Sequence, residues 1–181
     1  MTIWTSHVEP LDAIRIIGSL NDGEVRFVLV GGLAALVHGY TGLTQGADTV
    51  PAYDEENLER LCRVLVALGA SLYAHPARTD LADDGSPPEA SDFAFSPAVL
   101  RRRTIWQFAT SAGPLDVLFA IDGPGGYESL APRASIHTIA GHEILVAALD
   151  DLIASKETAG RDKDLRALGE LRRLRRESSR D

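Results

Sequence analysis

Residues Arg26–Asp48 read RFVLVGGLAALVHGYTGLTQGAD, and this stretch decides the fold. Phe27–Val30 is a short apolar run rich in β-branched residues, which reads as a buried strand. Gly31-Gly32 interrupts it, and Leu33–His38 continues with a helical pattern that Gly39 can end. A strand entering a helix through two glycines leaves bare N–H groups at the helix start, a natural seat for phosphate. Gly46-Ala47-Asp48-Thr49-Val50 then forms a second candidate strand, continuing to Pro51.

Upstream, Leu11–Leu20 has apolar residues spaced for a short amphipathic helix, with Pro10 before it and Asn21-Asp22-Gly23 ending it. Downstream, Asp54 can cap a helix over Asn57–Leu68, whose Leu58, Leu61, Cys62, Leu65 and Leu68 form one apolar stripe that Gly69 stops. Leu72-Tyr73 suits a short strand. Ala77–Pro97 carries three prolines and five acidic residues and reads as a loop, with Phe93 and Phe95 able to anchor a strand near its end. Arg103–Thr110 and Leu115–Ile121 read as an antiparallel pair turning at Ser111–Pro114. After a glycine-rich loop at Asp122–Gly126 come a helical turn at Tyr127–Ala131, a strand at Ser135–Ile139 and β-branched residues at Ile144–Val146. Two helices close the chain, Leu149–Ala159 ending at Gly160, and one capped by Asp162 with Leu165, Leu168, Leu171 and Leu174 at intervals of three.

With 181 residues, 45% of them hydrophobic, the chain can bury one substantial core. The expectation is an α+β domain over residues 1–147 and a helical segment over 148–181 packed on it. A net charge of −8 argues against non-specific nucleic-acid binding over the whole surface. Yet of 18 Lys and Arg, three are Arg101–Arg103 and eight lie between Arg161 and Arg180, a local bias that can hold a polyanion. The single Cys62, read as a core residue, excludes an intramolecular disulfide. The N-terminal residues lack a basic segment followed by an apolar one, and no apolar run approaches the ~20 residues of a membrane span, so a cytoplasmic protein without membrane contact is expected. His38, His75, His137 and His142 lack metal-ligand spacing, and Trp106, Phe108 and Phe119 suit hairpin core better than base stacking.

The Gly-Gly turn, the apolar helix and the strand bearing Asp48 together resemble the nucleotidyltransferase superfamily of DNA polymerase β in its minimal bacterial form, where such a turn precedes Asp-x-Asp on a strand. The closest likeness is to the toxin branch of type IV toxin–antitoxin pairs, AbiEii-like and MenT-like proteins, and spans about Arg26 to Leu174. Ser155-Lys156-Glu157-Thr158-Ala159-Gly160-Arg161-Asp162-Lys163-Asp164 looks like that branch's Ser-Lys-x-x-x-Gly-Arg-x-Lys-Asp signature. The resemblance implies a polymerase β-like fold, with a mixed sheet packed by helices and extra C-terminal helices. It implies transfer of nucleotides from an NTP to an RNA acceptor, the tRNA 3′ end being the branch's target, and a cognate antitoxin as partner. Mg²⁺ or Mn²⁺ would be the metal. Asp48 and Asp116 would be metal ligands and catalytic residues. Lys156 and Asp164 would join them in catalysis, with Gly31, Gly32, Thr44, Lys156 and Arg161 binding the nucleotide.

Chemistry supports these types. Mg²⁺ takes carboxylate and phosphate oxygen, and two such ions can stabilise attacking and leaving oxygens. Residues two apart on a strand share a face, so positions 46 and 48 would be the two arms, with Asp116 from a neighbouring strand completing the set. Lys156 would act as a point charge on phosphate, aided by Arg161 and Lys163. Thr44 stands where the branch can carry a regulatory phosphate. Each has a plainer reading: Asp48 as a strand-end residue, Thr44 as a loop residue, and Lys156 to Asp164 as a helix end with dipole-matched charges. The chain departs from the pattern at Gly46, in place of the first aspartate, and at Gly42, where the branch has Arg. A glycine cannot ligate metal. Turnover is therefore expected to be impaired, and two alternatives stay open: an inactive module that binds nucleotide or a partner, and a nucleotidyltransferase for a small molecule such as an aminoglycoside.

Overall fold

The computed structural model describes residues 4–5, 8–73 and 95–178. Among them one mixed sheet runs, edge to edge, through β1 (Trp4–Thr5), β4 (Ser71–Tyr73), β5 (Ile105–Thr110), β6 (Gly113–Leu118), β3 (Ala47–Pro51), β2 (Phe27–Val30), β8 (His142–Val146) and β7 (Ser135–Ile139). β3 is antiparallel to β2 and parallel to β6, while β2 is parallel to β8. Every residue of β2 is buried, so both faces of this central strand are covered. That is why it reads as a continuous apolar run and not an alternating one.

The helices are α1 (Ala13–Asp22), α2 (Gly31–Val37), α3 (Glu55–Ala67), α4 (Pro97–Leu100), α5 (Tyr127–Leu130), α6 (Leu149–Ala159) and α7 (Asp162–Ser178). Asp12 caps α1 and Asp54 caps α3, each accepting a hydrogen bond from a backbone N–H in the first turn. The fully buried Asn57 fastens α3 to the sheet. Its amide donates to the carbonyls of Arg26 and Ala52, and its oxygen accepts from the Arg26 N–H at 2.7 Å. Gly160, at φ 61°, ends α6 and lets α7 fold back against it. Leu152, Ile153, Leu168 and Leu171 carry this helical pair into the common core.

Several expectations change. Gly31 and Gly32 form the first turn of α2 instead of preceding it. The turn of the β5–β6 hairpin is only Ser111–Ala112, because Gly113 already pairs with Thr110, and β6 stops at Leu118. Phe119 lies one residue past β6; its N–H still donates to the Thr104 carbonyl at 2.8 Å, and its half-buried ring packs against the core from the edge. Leu165 is 53% exposed, so the α7 stripe consists of Ala167, Leu168, Leu171 and Leu174. Phe95 lies outside any strand and packs edge-on against Phe108, just before α4, which Pro97 opens. Phe93 and the acidic stretch up to residue 94 lie outside the described residues. No helix among the described residues is long and apolar enough to cross a membrane.

Cys62 is buried on α3, and burial, then the charge of Glu59, pushes its thiol up to about 11. Roughly one thiol in a thousand is thiolate at pH 8, and only the thiolate reacts. Labelling with a disulfide reagent at pH 8 should be very slow in native buffer and complete in denaturant; immediate native labelling would remove Cys62 from the core.

Candidate active site

The parallel ladder between β3 and β6 aligns Ala47 with Leu115, Asp48 with Asp116 and Thr49 with Val117. In-register residues of a parallel pair share a face, and adjacent strands lie ~4.8 Å apart. Ala47, Thr49, Leu115 and Val117 turn into the core, and Asp48 and Asp116 lie together, half-buried, on the other face. The ladder therefore brings together the two carboxylates that the sequence separates widely.

Each is positioned by neighbours. Gln107 pairs with Asp116 across β5–β6, and its side-chain amide donates to Asp116 Oδ2 at 3.1 Å. The buried Thr49 hydroxyl donates to the Asp116 carbonyl at 3.2 Å. Asp48 faces Val30, the last residue of β2, so its carboxylate lies against the next residue, Gly31. A Cβ at Gly31 would stand 2.1 Å from Asp48 Oδ2, and Gly31 has φ +65°. A Cβ at Gly32 would stand 2.6 Å from Thr44 Oγ1. The diglycine turn thus admits the chain's own Asp48 and Thr44 at close range. Thr44 Oγ1 also donates to the Gly46 carbonyl at 3.0 Å.

The two departures from the nucleotidyltransferase pattern are both packed over. A Cβ on Gly46 would meet Pro114 Cβ at 3.1 Å, and one on Gly42 would meet the Tyr40 ring at 2.3 Å. The loop carrying both glycines is clasped by α7: Glu170 accepts from the backbone N–H and hydroxyl of Thr41, at 3.1 and 2.9 Å.

Lys156, Arg161 and Asp164 form a second cluster at the α6–α7 corner. The buried Asp164 accepts from Lys156 Nζ at 3.0 Å and Arg161 Nε at 2.7 Å. Burial pushes its carboxyl up; the Arg161 and Lys156 hydrogen bonds more than offset this, leaving it below its ordinary value. Among the described residues Lys156 and Arg161 both pair with Asp164, so their charges are engaged within the corner. Upstream on α6, Asp151 is buried and held by a two-pronged Arg133. Among the described residues no group of three or more His, Cys, Asp or Glu is placed to hold a metal ion. His38 and His137 meet edge to face at 5.6 Å; His75 lies outside the described residues.

Comparison with family sequence models finds no match, and neither does comparison with curated protein sequences. Solved structures do match. A candidate nucleotidyltransferase from Thermotoga maritima aligns with a TM-score of 0.50 at 14% identity, over 86% of this chain and 87% of that one. This chain has the nucleotidyltransferase fold. Two structures of the antibiotic-resistance factor ANT(2″)-Ia align at lower scores. The complex with adenylyl-2″-tobramycin gives 0.48 at 14% identity, over 91% of this chain and 94% of that one. The solution structure gives 0.43 at 16% identity, with 77% of this chain spanning 64% of that one.

Within this nucleotidyltransferase fold, the sequence reading missed Gln107 and the Pro114 contact. A glutamine on an alternating strand carries no signature, and its partner is set only by the hairpin register. Substituting Gly31→Ala would force the Asp48 carboxylate aside and strain a left-handed residue, at about 1–2 kcal/mol. The urea midpoint at pH 7 should fall accordingly; an unchanged midpoint would mean that the Asp48 carboxylate does not fill the space beside Gly31.

Asp164→Asn should cost about 1–3 kcal/mol at pH 7, since it removes charged hydrogen bonds from a buried site. The folded carboxyl titrates below its unfolded value, so its contribution is complete above ~4 and is lost as pH falls through the folded value. Urea unfolding at pH 7 and pH 3 should show the gap between wild type and variant closing in acid.

Proposed function

We propose that this chain is a nucleotidyltransferase-type toxin that moves nucleotides from an NTP to an RNA acceptor, the 3′ end of tRNA, with turnover reduced by Gly46. A cognate antitoxin would be its partner. The observation that carries this reading is the in-register pairing of Asp48 with Asp116 on one face, beside the Gly31 turn.

The donor set suits one hard cation. Two neighbouring carboxylates supply oxygen, the Gln107 amide fixes the orientation of one, and substrate phosphate supplies further ligands. It does not suit a complete two-metal set, because Gly46 offers no oxygen from a side chain and Pro114 packs against it. Asp48 and Asp116 would be the residues to hold Mg²⁺ or Mn²⁺, whose chemistry when bound is to offset negative charge on a phosphate. The chain's own residues would then orient and hold. The Gly31-Gly32 turn keeps Asp48 and Thr44 close-packed. A phosphate on Thr44 would place negative charge at this turn and repel a triphosphate. Lys156 and Arg161 would lend positive charge to the triphosphate only by exchanging their bonds to Asp164 for phosphate oxygen.

The tail is less basic in effect than in sequence. Arg172, Arg173 and Arg175 pair with Glu157, Glu177 and Asp150 at 2.6–2.8 Å. Among the described residues of the tail, Arg166 and Arg176 make no ion pair and can meet a phosphate.

A second reading, an inactive module that binds nucleotide or antitoxin, draws on the packing of Pro114 over Gly46 and Tyr40 over Gly42. The test is incubation with Mg²⁺, each labelled NTP and total RNA, using the chain, Gly46→Asp, and Gly46→Asp with Pro114→Gly to relieve the contact. Label should enter tRNA with the aspartate variants at about 100-fold or more above the parent, and Asp116→Asn should abolish it. If no variant labels RNA, the binding module is the better description. Label entering only small hydroxyl compounds would point to the small-molecule alternative.

A further inference from the structure

Beyond the far ends of β3 and β6, Tyr53 and Phe119 meet edge to face with ring centroids 4.9 Å apart. With Arg101, Arg102, Arg103 and Thr104 they line an open pocket of about 360 Å³, within the size range of small-ligand sites. Both strands run in the same direction, so the pocket lies three residues beyond Asp116 and five beyond Asp48. At ~3.3 Å per residue that is roughly 10–17 Å along the sheet from the carboxylates.

The three guanidinium groups are not equivalent. Arg101 is paired with Glu55 and lies 5.5 Å from the Tyr53 ring centroid. Arg103 lies 5.5 Å from the Trp106 ring centroid. Arg102 is exposed, and among the described residues its side chain has no ion pair or hydrogen bond. The segment bearing them is well held. Ser96 caps α4, and Trp106 Nε1 donates to the Leu100 carbonyl at 2.8 Å. The stacked arginines are thus pre-positioned, and Arg102 has charge to give a ligand.

A carboxylate ligand would use the arginines and leave the rings idle. An apolar ligand would do the reverse and leave cations facing it. A planar ring joined to a phosphate uses both, since aromatic side chains stack bases and arginine matches phosphate oxygens. We propose that this pocket binds one nucleotide unit, with its base against Tyr53 and its phosphate on Arg102. The unit is a free mononucleotide or one residue of a single strand. The proposal deepens the acceptor reading above by giving the acceptor a second seat, and its test requires no turnover.

The test is calorimetry on the full chain in EDTA, with a nucleoside 5′-monophosphate, a short mixed single-stranded RNA and inorganic phosphate, across a salt series. Tyr53→Ala should weaken binding by about tenfold and Tyr53→Phe should not. Arg102→Ala should weaken it and reduce the salt slope by about 0.7 for the strand. Both positions are exposed, and circular dichroism of each variant is the control for folding. A mononucleotide that binds as tightly as RNA identifies a free nucleotide; binding by RNA alone identifies a strand. The proposal falls if neither binds, if phosphate alone binds equally well, or if the Tyr53 and Arg102 variants bind like the parent. Asp48→Asn with Asp116→Asn should leave this binding intact; its loss there would assign the ligand to the carboxylate site. RNA labelling by Gly46→Asp with no binding here would sink only the pocket; the reverse would sink only the transferase.

Discussion

The hydrogen-bonded ladder between β3 and β6 governs the chemistry open to this molecule. Its register places Asp48 directly beside Asp116. A shift by one residue would turn one carboxylate into the core and one apolar side chain out, because side chains alternate. The register is enforced from the other face, where Ala47, Leu115 and Val117 are fully buried and Thr49 nearly so. Hydrophobic burial on one face thus determines the placement of charge on the other.

Asp48 and Asp116 stand side by side and half-buried, and neighbours hold each in place. Gln107 donates to one, and the Gly31 turn receives the other. The glycines act by leaving volume: the space a Cβ would fill is taken by Asp48 and Thr44. The same logic works against a fuller metal set at Gly46, where the missing side chain has been replaced by contact with Pro114. The loop between them is tied to α7 through Thr41 and Glu170, so the C-terminal helices brace the site's approach as well as extending the core.

Charge is distributed more locally than the net value of −8 suggests. Most of the described tail arginines are matched by acids on α6 or α7. The arginines following α4 lie among aromatic rings, where one retains an uncommitted charge. Uncommitted charge for a phosphate thus stands at Arg102 in the middle of the chain and at Arg166 and Arg176 on α7.

Much of this was legible in the sequence because it depends on neighbours along the chain. The apolar run at Phe27–Val30, the Asp54 cap, the Gly160 stop and the α6 boundaries follow from local backbone preferences and periodicity. The pairing of Asp48 with Asp116 was anticipated through family likeness; the residues alone left Asp48 evenly balanced between a strand-end residue and a site residue. Gln107, the Pro114 contact, the Tyr40 ring over Gly42 and the Tyr53–Phe119 pocket had no sequence signal. The sequence by itself determined which segments become strands and helices and which residues carry charge, since those depend on short-range sterics and burial patterns. Only the tertiary structure decided which charges meet and which glycine spaces are filled, because strand order and register join residues far apart in the chain.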